Sequence, residues 1–331
     1  MALFSRLGSN QRSSTRRVNL TRNPFWNKMR NTLAKKITNF AENNPNVFLI
    51  SGDAGFGVLD DFRDRFSNRF LNLGIAEQNT ISFASGLGLI GFRVFVYNII
   101  PFLLYRCFEQ VRNDICYQKI PVTLLGIGSG TTYAPAGMTH YSVEDVALAR
   151  TLPNLTIFSP ADPIEAGQCA EFALKSENPV YIRIAKTGEP AIHSHSSIDI
   201  QKPLCIREGS HTAVLFHGSI SQEVLQATTA TSPAPRVFSI PMLQPLNFDS
   251  LHAQLNGIQT IVTVEEHFVE GGLGSIISDW ITRENLSYRL QKVGIKNEFI
   301  HAIKNNQGMR QHYGLSSGQI RRAIKNAFDL T

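Results

Sequence analysis

Two α/β domains, each a mostly parallel sheet covered by helices, are what this sequence predicts, on three observations. Its 331 residues exceed one small domain and suit two of roughly 100 to 200 residues each. Hydrophobic residues make up 43% and charged ones 18%, enough to bury a sizeable core, which excludes a disordered or fibrous chain. From Phe25 onward short apolar runs alternate with amphipathic stretches, as in parallel strands joined by crossover helices.

Phe25, Met29, Leu33, Ile37 and Phe40 recur at helical spacing behind Pro24, which suits a first helical turn. Val47–Ser51 reads as a short buried strand and Arg69–Leu73 as a second, followed by a helix from about Ala76 to Leu89. Further strands are expected at Arg93–Asn98, Val122–Gly126, Thr156–Ser159 and Val180–Ile184. Helices are expected between them, near Phe102–Cys116, Val143–Thr151 and Ile164–Lys175. From Glu189 to Pro203 the periodicity lapses into Pro, Ser and His, the composition of a linker. Alternation then resumes, with strands expected at Thr212–His217, Arg236–Ile240 and Gln259–Glu265. The expected layout is an extension over 1–23, a first domain over 24–188, a linker over 189–203 and a smaller domain over 204–331.

The formal net charge of +6 invites a nucleic-acid reading, and its distribution withdraws it. Residues 1–41 hold nine Lys or Arg and no acid, which leaves 23 basic and 26 acidic side chains for the rest. The body is mildly acidic, so no nucleic-acid partner is expected. The Arg- and Ser-rich start has two readings, a solvated extension or an organellar transit segment. Apolar stretches such as Val94–Leu104, broken by Asn98 and Pro101, fall short of the ~20 residues of a membrane span. Cys107, Cys116, Cys169 and Cys205 show no CxxC spacing, which fits reduced thiols and a cytoplasmic protein.

Candidate chemistry begins at Glu77. The run Gly74-Ile75-Ala76-Glu77-Gln78-Asn79 follows a predicted strand and opens a helix, at the carboxyl edge where parallel sheets place ligands. An acid there equally complements the dipole of the helix it opens. The segment after Tyr97 mixes aromatics with Glu109, Arg112 and Asn113, a pattern common to core packing and cofactor slots. The loop from Gly126 to His140 has four glycines but neither GxGxxG nor P-loop spacing. Asp53 suits a turn that caps its own backbone as well as a ligand position. His193 and His195, in the linker, are not expected to hold metal, and His267 is expected at an interface rather than in chemistry.

In order along the chain, Arg69–Asn79, Phe108–Asp114, Gly137–His140, and Leu152–Asn154 with Ser159–Asp162 resemble the pyrimidine-binding domain of transketolase. Thr263–His267 followed by Gly271–Gly274 resembles the C-terminal domain of the same family. The resemblance implies that Glu77 hydrogen-bonds N1′ of the thiamine diphosphate pyrimidine, favouring the imino form that removes the C2 proton. It implies that Phe102 packs on that ring, with Tyr105 as the alternative because the alignment slips by one residue, and that Asp53 lies close by. His140 is then the histidine that exchanges protons with donor hydroxyls, as an imidazole titrating near working pH can. Lys186 falls where relatives hold the substrate phosphate with an Arg, and a Lys does so as a point charge.

The departures carry equal weight. Full-length members hold Mg2+ and the diphosphate through a further domain with a GDG…N motif, and Gly52-Asp53-Ala54 lacks its third glycine. The resemblance therefore implies the C-terminal subunit of a split transketolase. It would work on sugar phosphates with a separate GDG…N subunit, as a self-dimer within an α2β2 assembly. Ala136 stands where the family has an Asp on a donor hydroxyl, and Gly128 where it has a second His. Ser129 stands near an Arg of deoxyxylulose-phosphate synthase. The alternatives are the β subunit of a 2-oxo acid decarboxylating complex, a synthase of that kind, or a non-catalytic assembly subunit. Retention of Glu77 and His140 weighs against the last.

Overall fold

The computed structural model describes residues 29–195 and 197–329; the expected extension over 1–23 and the helical start at Pro24 and Phe25 lie outside them. Helix α1 (Met29–Ala41) buries Met29, Leu33, Ala34, Ile37 and Ala41, the three-and-four spacing of one helical face. Then come β1 (Val47–Ser51), α2 (Asp60–Arg65), β2 (Phe70–Asn72), α3 (Glu77–Leu89) and β3 (Arg93–Ile99). The helix expected over 102–116 is three pieces: a π-helical turn at Pro101–Tyr105, α4 (Phe108–Gln110) and a second π turn at Val111–Cys116. Bonds from Arg106 N to Pro101 O (3.1 Å) and from Tyr117 N to Arg112 O (2.9 Å) each span five residues. A π turn houses one extra residue in a helix, so the spacing of Phe102 and Tyr105 departs from a regular α-helical period.

After β4 (Val122–Ile127), α5 (Asp145–Ala149), β5 (Thr156–Phe158), α6 (Pro163–Lys175) and β6 (Val180–Ile184), the chain passes into the second domain. There β7 (Leu204–Arg207), β8 (His211–Phe216), α7 (Ser221–Thr229), β9 (Arg236–Ser239), β10 (Met242–Gln244) and α8 (Phe248–Gln254) come first. They are followed by β11 (Ile258–Phe268), α9 (Leu273–Arg283), β12 (Arg289–Ile295), α10 (Asn306–His312) and α11 (Ser317–Asp329). The edge strands β7, only four residues long, and β12, where Arg289, Gln291, Lys292 and Gly294 interrupt the apolar residues, are not among the strands expected from the sequence.

The first sheet has the order β10-β5-β6-β4-β3-β1-β2 and the second β12-β11-β8-β9-β7. Alternate residues of β3 enter opposite cores. Val94 and Val96 pack with Ile81 of α3 and Leu104, and Phe95 and Tyr97 with α1 and α6. Strand β10 belongs by sequence to the second half, yet pairs antiparallel with β5, Met242 opposite Phe158. A strand as well as a linker therefore joins the two units. Among the described residues no helix is long and apolar enough to cross a membrane, and the four cysteines are unpaired.

Candidate active site

Strands β1, β2, β3, β4 and β6 run parallel, so the loops that follow them gather at one edge. Asn72 ties two of these loops together, its Oδ1 accepting from Asp53 N at 3.0 Å and from Gly74 N at 2.9 Å. Asp53 is exposed, with φ of 52°, a left-handed conformation that Asp tolerates in turns.

Glu77 begins α3 with its side chain only 7% exposed and ion-paired to Arg106 at 2.7 Å. The Arg106 guanidinium lies over the Phe102 ring at 4.6 Å, and Phe102 meets the His140 ring edge-on at 5.4 Å. Glu77, Arg106, Phe102 and His140 thus form one chain of contacts. Tyr105 goes elsewhere. Its ring packs on the core, with its hydroxyl buried beside Glu144. Burial, and then the charges of Asp145 and Glu144, push its phenol pKa up. Residues three apart share a face of an α-helix, but on the wider π turn these two aromatics diverge.

His140 ends the glycine-rich loop, with Nδ1 2.9 Å from Thr139 Oγ1 and its ring 5.7 Å from that of Tyr133. Exposed Lys186 stands with Nζ 4.5 Å from the centre of the same Tyr133 ring. Tyr133 carries no motif signal; the clue is Gly128. With φ of +98°, Gly128 leaves no room for a Cβ, which would come within 2.1 Å of the Tyr133 ring.

The base of this loop is held from the second domain. Buried Glu266 accepts from Thr131 N (3.1 Å) and Thr131 Oγ1 (2.6 Å), from Ser219 Oγ (2.9 Å) and from Arg310 Nη2 (2.8 Å). Burial opposes its charge, but Arg310 and the Thr131 hydroxyl hold its pKa below the usual carboxylate range. His267 is buried at the same interface, its Nε2 3.4 Å from Ala147 N of the first domain. Deeper still, Arg183 Nε donates to Asp145 Oδ2 at 2.7 Å, and the Tyr181 hydroxyl donates to the same oxygen at 2.7 Å. Arg183 Nη2 also reaches the carbonyls of Ser142 (3.1 Å) and Glu266 (3.2 Å), so one buried cation fixes the loop's far end to β11.

Glu189 lies just past Lys186, and its Oε1 accepts from Thr187 Oγ1 at 2.6 Å while its buried Oε2 has no partner. Burial raises its pKa from 4.5 to about 7, against the Thr187 hydrogen bond and the Arg310 charge. Between those values the folded protein keeps a proton that the unfolded chain has lost, so this group's contribution to stability falls as pH rises and is lowest above about 7. Glu189→Gln keeps the acceptor for Thr187. It should stabilise the protein by roughly 2–3 kcal/mol at pH 8.5 and by little at pH 4. Urea denaturation at both pH values checks this, and an equal effect at both would mean that burial does not set the behaviour of Glu189.

Among the described residues one group could hold a cation, Asp162, Glu165 and His193. Its atoms are engaged otherwise. Asp162 caps α6 through Glu165 N at 2.7 Å and accepts from Ile192 N at 2.8 Å, and Glu165 Oε1 meets His193 Nε2 at 2.8 Å. The cluster pins the linker to the first domain.

Two covered, mostly parallel sheets, with an acid, an aromatic ring and an imidazole linked through Arg106 at one sheet edge, define an α/β protein with a candidate ligand site at the carboxyl ends of its strands. Residues 27–188 match the pyrimidine binding domain of transketolase and residues 202–320 its C-terminal domain. The chain is 30% identical over 283 residues to one subunit of the apulose-4-phosphate transketolase of Actinobacillus succinogenes, covering 83% of this chain and 89% of that one. It is 29% identical over 297 residues to 1-deoxy-D-xylulose-5-phosphate synthase of Dictyoglomus thermophilum, covering 88% of this chain but 48% of the synthase. The solved structure of a split gene transketolase, an inactive beta4 tetramer, superimposes with a TM-score of 0.84 at 30% identity, covering 92% of this chain and 99% of that one. The chain belongs to the transketolase family. Within that family it carries the pyrimidine-binding and C-terminal domains and resembles a subunit of a split transketolase over nearly its whole length.

Family membership implies dependence on thiamine diphosphate, and the residues fit its pyrimidine half. Glu77 is a nearly buried carboxylate whose partner Arg106 is 48% exposed, and half-buried Phe102 lies against that guanidinium. The diphosphate half has no such set here, since the sequence holds no GDG…N motif.

Proposed function

We propose that this chain is the C-terminal subunit of a two-subunit transketolase that moves a two-carbon ketol unit from a ketose phosphate to an aldose. A separate subunit with the GDG…N motif supplies Mg2+ and the diphosphate ligands. One observation carries the reading. Glu77, Arg106, Phe102 and His140 form one chain of contacts at one sheet edge, in a chain without the diphosphate motif, which supports placing the pyrimidine half there. The apulose-4-phosphate transketolase relative, itself named as a subunit, and the inactive beta4 tetramer of a split gene transketolase support it.

When bound, thiamine diphosphate supplies the electron sink for the two-carbon fragment. Glu77 holds a proton at the ring nitrogen, Phe102 flanks the ring, and His140 moves protons at the donor's hydroxyls. Asp53 borders the aminopyrimidine, and Lys186 holds the phosphate. The proposed assembly is α2β2, with two copies of this chain meeting along α3. Ile75 before that helix, Phe83 and Leu89 on it and Ile90 after it are exposed, and Gly86 faces open space. Unpaired Cys107, Cys116 and Cys169, all buried, suit a reducing, cytoplasmic setting. A deoxyxylulose-phosphate synthase reading is less well supported, because Ser129, near the position of that enzyme's Arg, is buried and brings no cation to the pocket.

Purified with its partner, thiamine diphosphate and Mg2+, the chain should transfer ketol units from a ketose phosphate; alone it should not. Full turnover by the isolated chain would overturn the two-subunit reading. Lys186→Ala should raise KM for a phosphorylated donor with kcat little changed, since a phosphate contact binds ground and transition states alike. The loss is about 1.5–3 kcal/mol, the scale of a hydrogen bond to a charged group. An unphosphorylated analogue should lose almost nothing, and equal losses on both compounds would remove the phosphate role.

A further inference from the structure

We infer that Tyr133 sets the length of the sugar phosphate this site accepts, an inference that rests on the ketol-transfer reading above. Tyr133 is the side chain that touches both proposed substrate groups, its ring 5.7 Å from that of His140 and 4.5 Å from Lys186 Nζ. Carbons that join a phosphate on Lys186 to a hydroxyl at His140 must run past this ring. The backbone that carries the ring is held in place. Thr131 before it is held by Glu266 through two hydrogen bonds, at 2.6 and 3.1 Å. The hydroxyl of Thr132 donates to Ser129 O at 2.8 Å and accepts from Lys186 N at 3.2 Å.

Gly128 is the second, independent observation. A Cβ there would come within 2.1 Å of the ring, so the glycine is the condition for Tyr133 lying where it does. Ala136, exposed on the same loop, offers no polar atom to a further sugar hydroxyl. A ring stands between the two proposed substrate groups and Ala136 adds no hydroxyl contact to that of His140, a combination that favours a short, sparsely hydroxylated substrate. A filled pocket rejects an oversized ligand because a pinned side chain must leave its rotamer and its neighbours.

The test uses the complete enzyme with its partner subunit and compares kcat/KM for a five-carbon and a seven-carbon ketose phosphate as donors. Wild type should prefer the shorter donor. Tyr133→Ala should shift the ratio toward the longer one by at least ~10-fold, the scale of one carbon's worth of pocket discrimination. Tyr133→Phe should leave the ratio within about two-fold of wild type, because the ring and not the hydroxyl fills the space. Tyr133→Leu should give an intermediate ratio, and it decides the matter if the alanine variant does not fold. Equal losses on both donors, with the ratio unmoved, would overturn the inference and leave ketol transfer standing. A wild-type complex that transfers from neither donor would overturn both.

Discussion

Replacing Glu77 with Gln should lower the rate of the assembled enzyme by at least ~100-fold, the usual scale of an acid–base contribution, while assembly persists. Gln keeps the shape of the side chain at the start of α3 but has no acid with which to share a proton at a ring nitrogen. The ion pair to Arg106 at 2.7 Å is lost as well. Because Arg106 is about half exposed, that loss costs at most about 1 kcal/mol, and the fold should hold. Steady-state rates, read beside cofactor binding by fluorescence quenching, separate the two effects. Near-normal turnover would reduce Glu77 to a helix-terminus acid paired with Arg106, and the proposed pyrimidine contact would fall with it.

Asp145→Ala should destabilise the protein by about 3–5 kcal/mol, the cost of leaving a buried charge without its partner. Arg183 is 1% exposed and Asp145 fully buried, with the pair at 2.7 Å. The variant strands that guanidinium and takes the acceptor from the Tyr181 hydroxyl. Its remaining carbonyl partners, Ser142 and Glu266, carry only partial charge. Adding Arg183→Met to Asp145→Ala should recover much of the loss, since a buried pair and an apolar pair of similar volume are often near parity. Urea denaturation of the three variants measures both effects. A cost below about 1 kcal/mol for Asp145→Ala would show that the carbonyls alone satisfy Arg183.

The strand–helix alternation of the first domain was legible because periodicity is a property of neighbours. β1 and β6 occupy the predicted spans, and α3 begins one residue after its predicted start. The strand-to-helix junction that holds Glu77 was legible for the same reason, but an acid there equally suits a helix start, and its proposed cofactor role came from the family resemblance. Legibility fails where chain geometry departs from a regular period. The two π turns between Pro101 and Cys116 cannot be read from spacing, so the sequence offered both Phe102 and Tyr105. In the structure Phe102 reaches Arg106 and His140, whereas the partly buried Tyr105 packs on the core with its hydroxyl near the charges of Asp145 and Glu144.

By itself the sequence determined the two α/β units and the lack of a diphosphate motif, which are matters of composition, period and local pattern. The acid at the first sheet's edge and the histidine at the end of the glycine-rich loop were singled out by the family resemblance. The tertiary structure alone decided that Tyr133 fills the space over Gly128 and that β10 crosses into the first sheet. It alone decided that Glu266 holds Thr131 across 135 residues of chain. Those contacts join residues far apart in sequence, and they arise only when two sheets pack and a buried charge must find its hydrogen bonds.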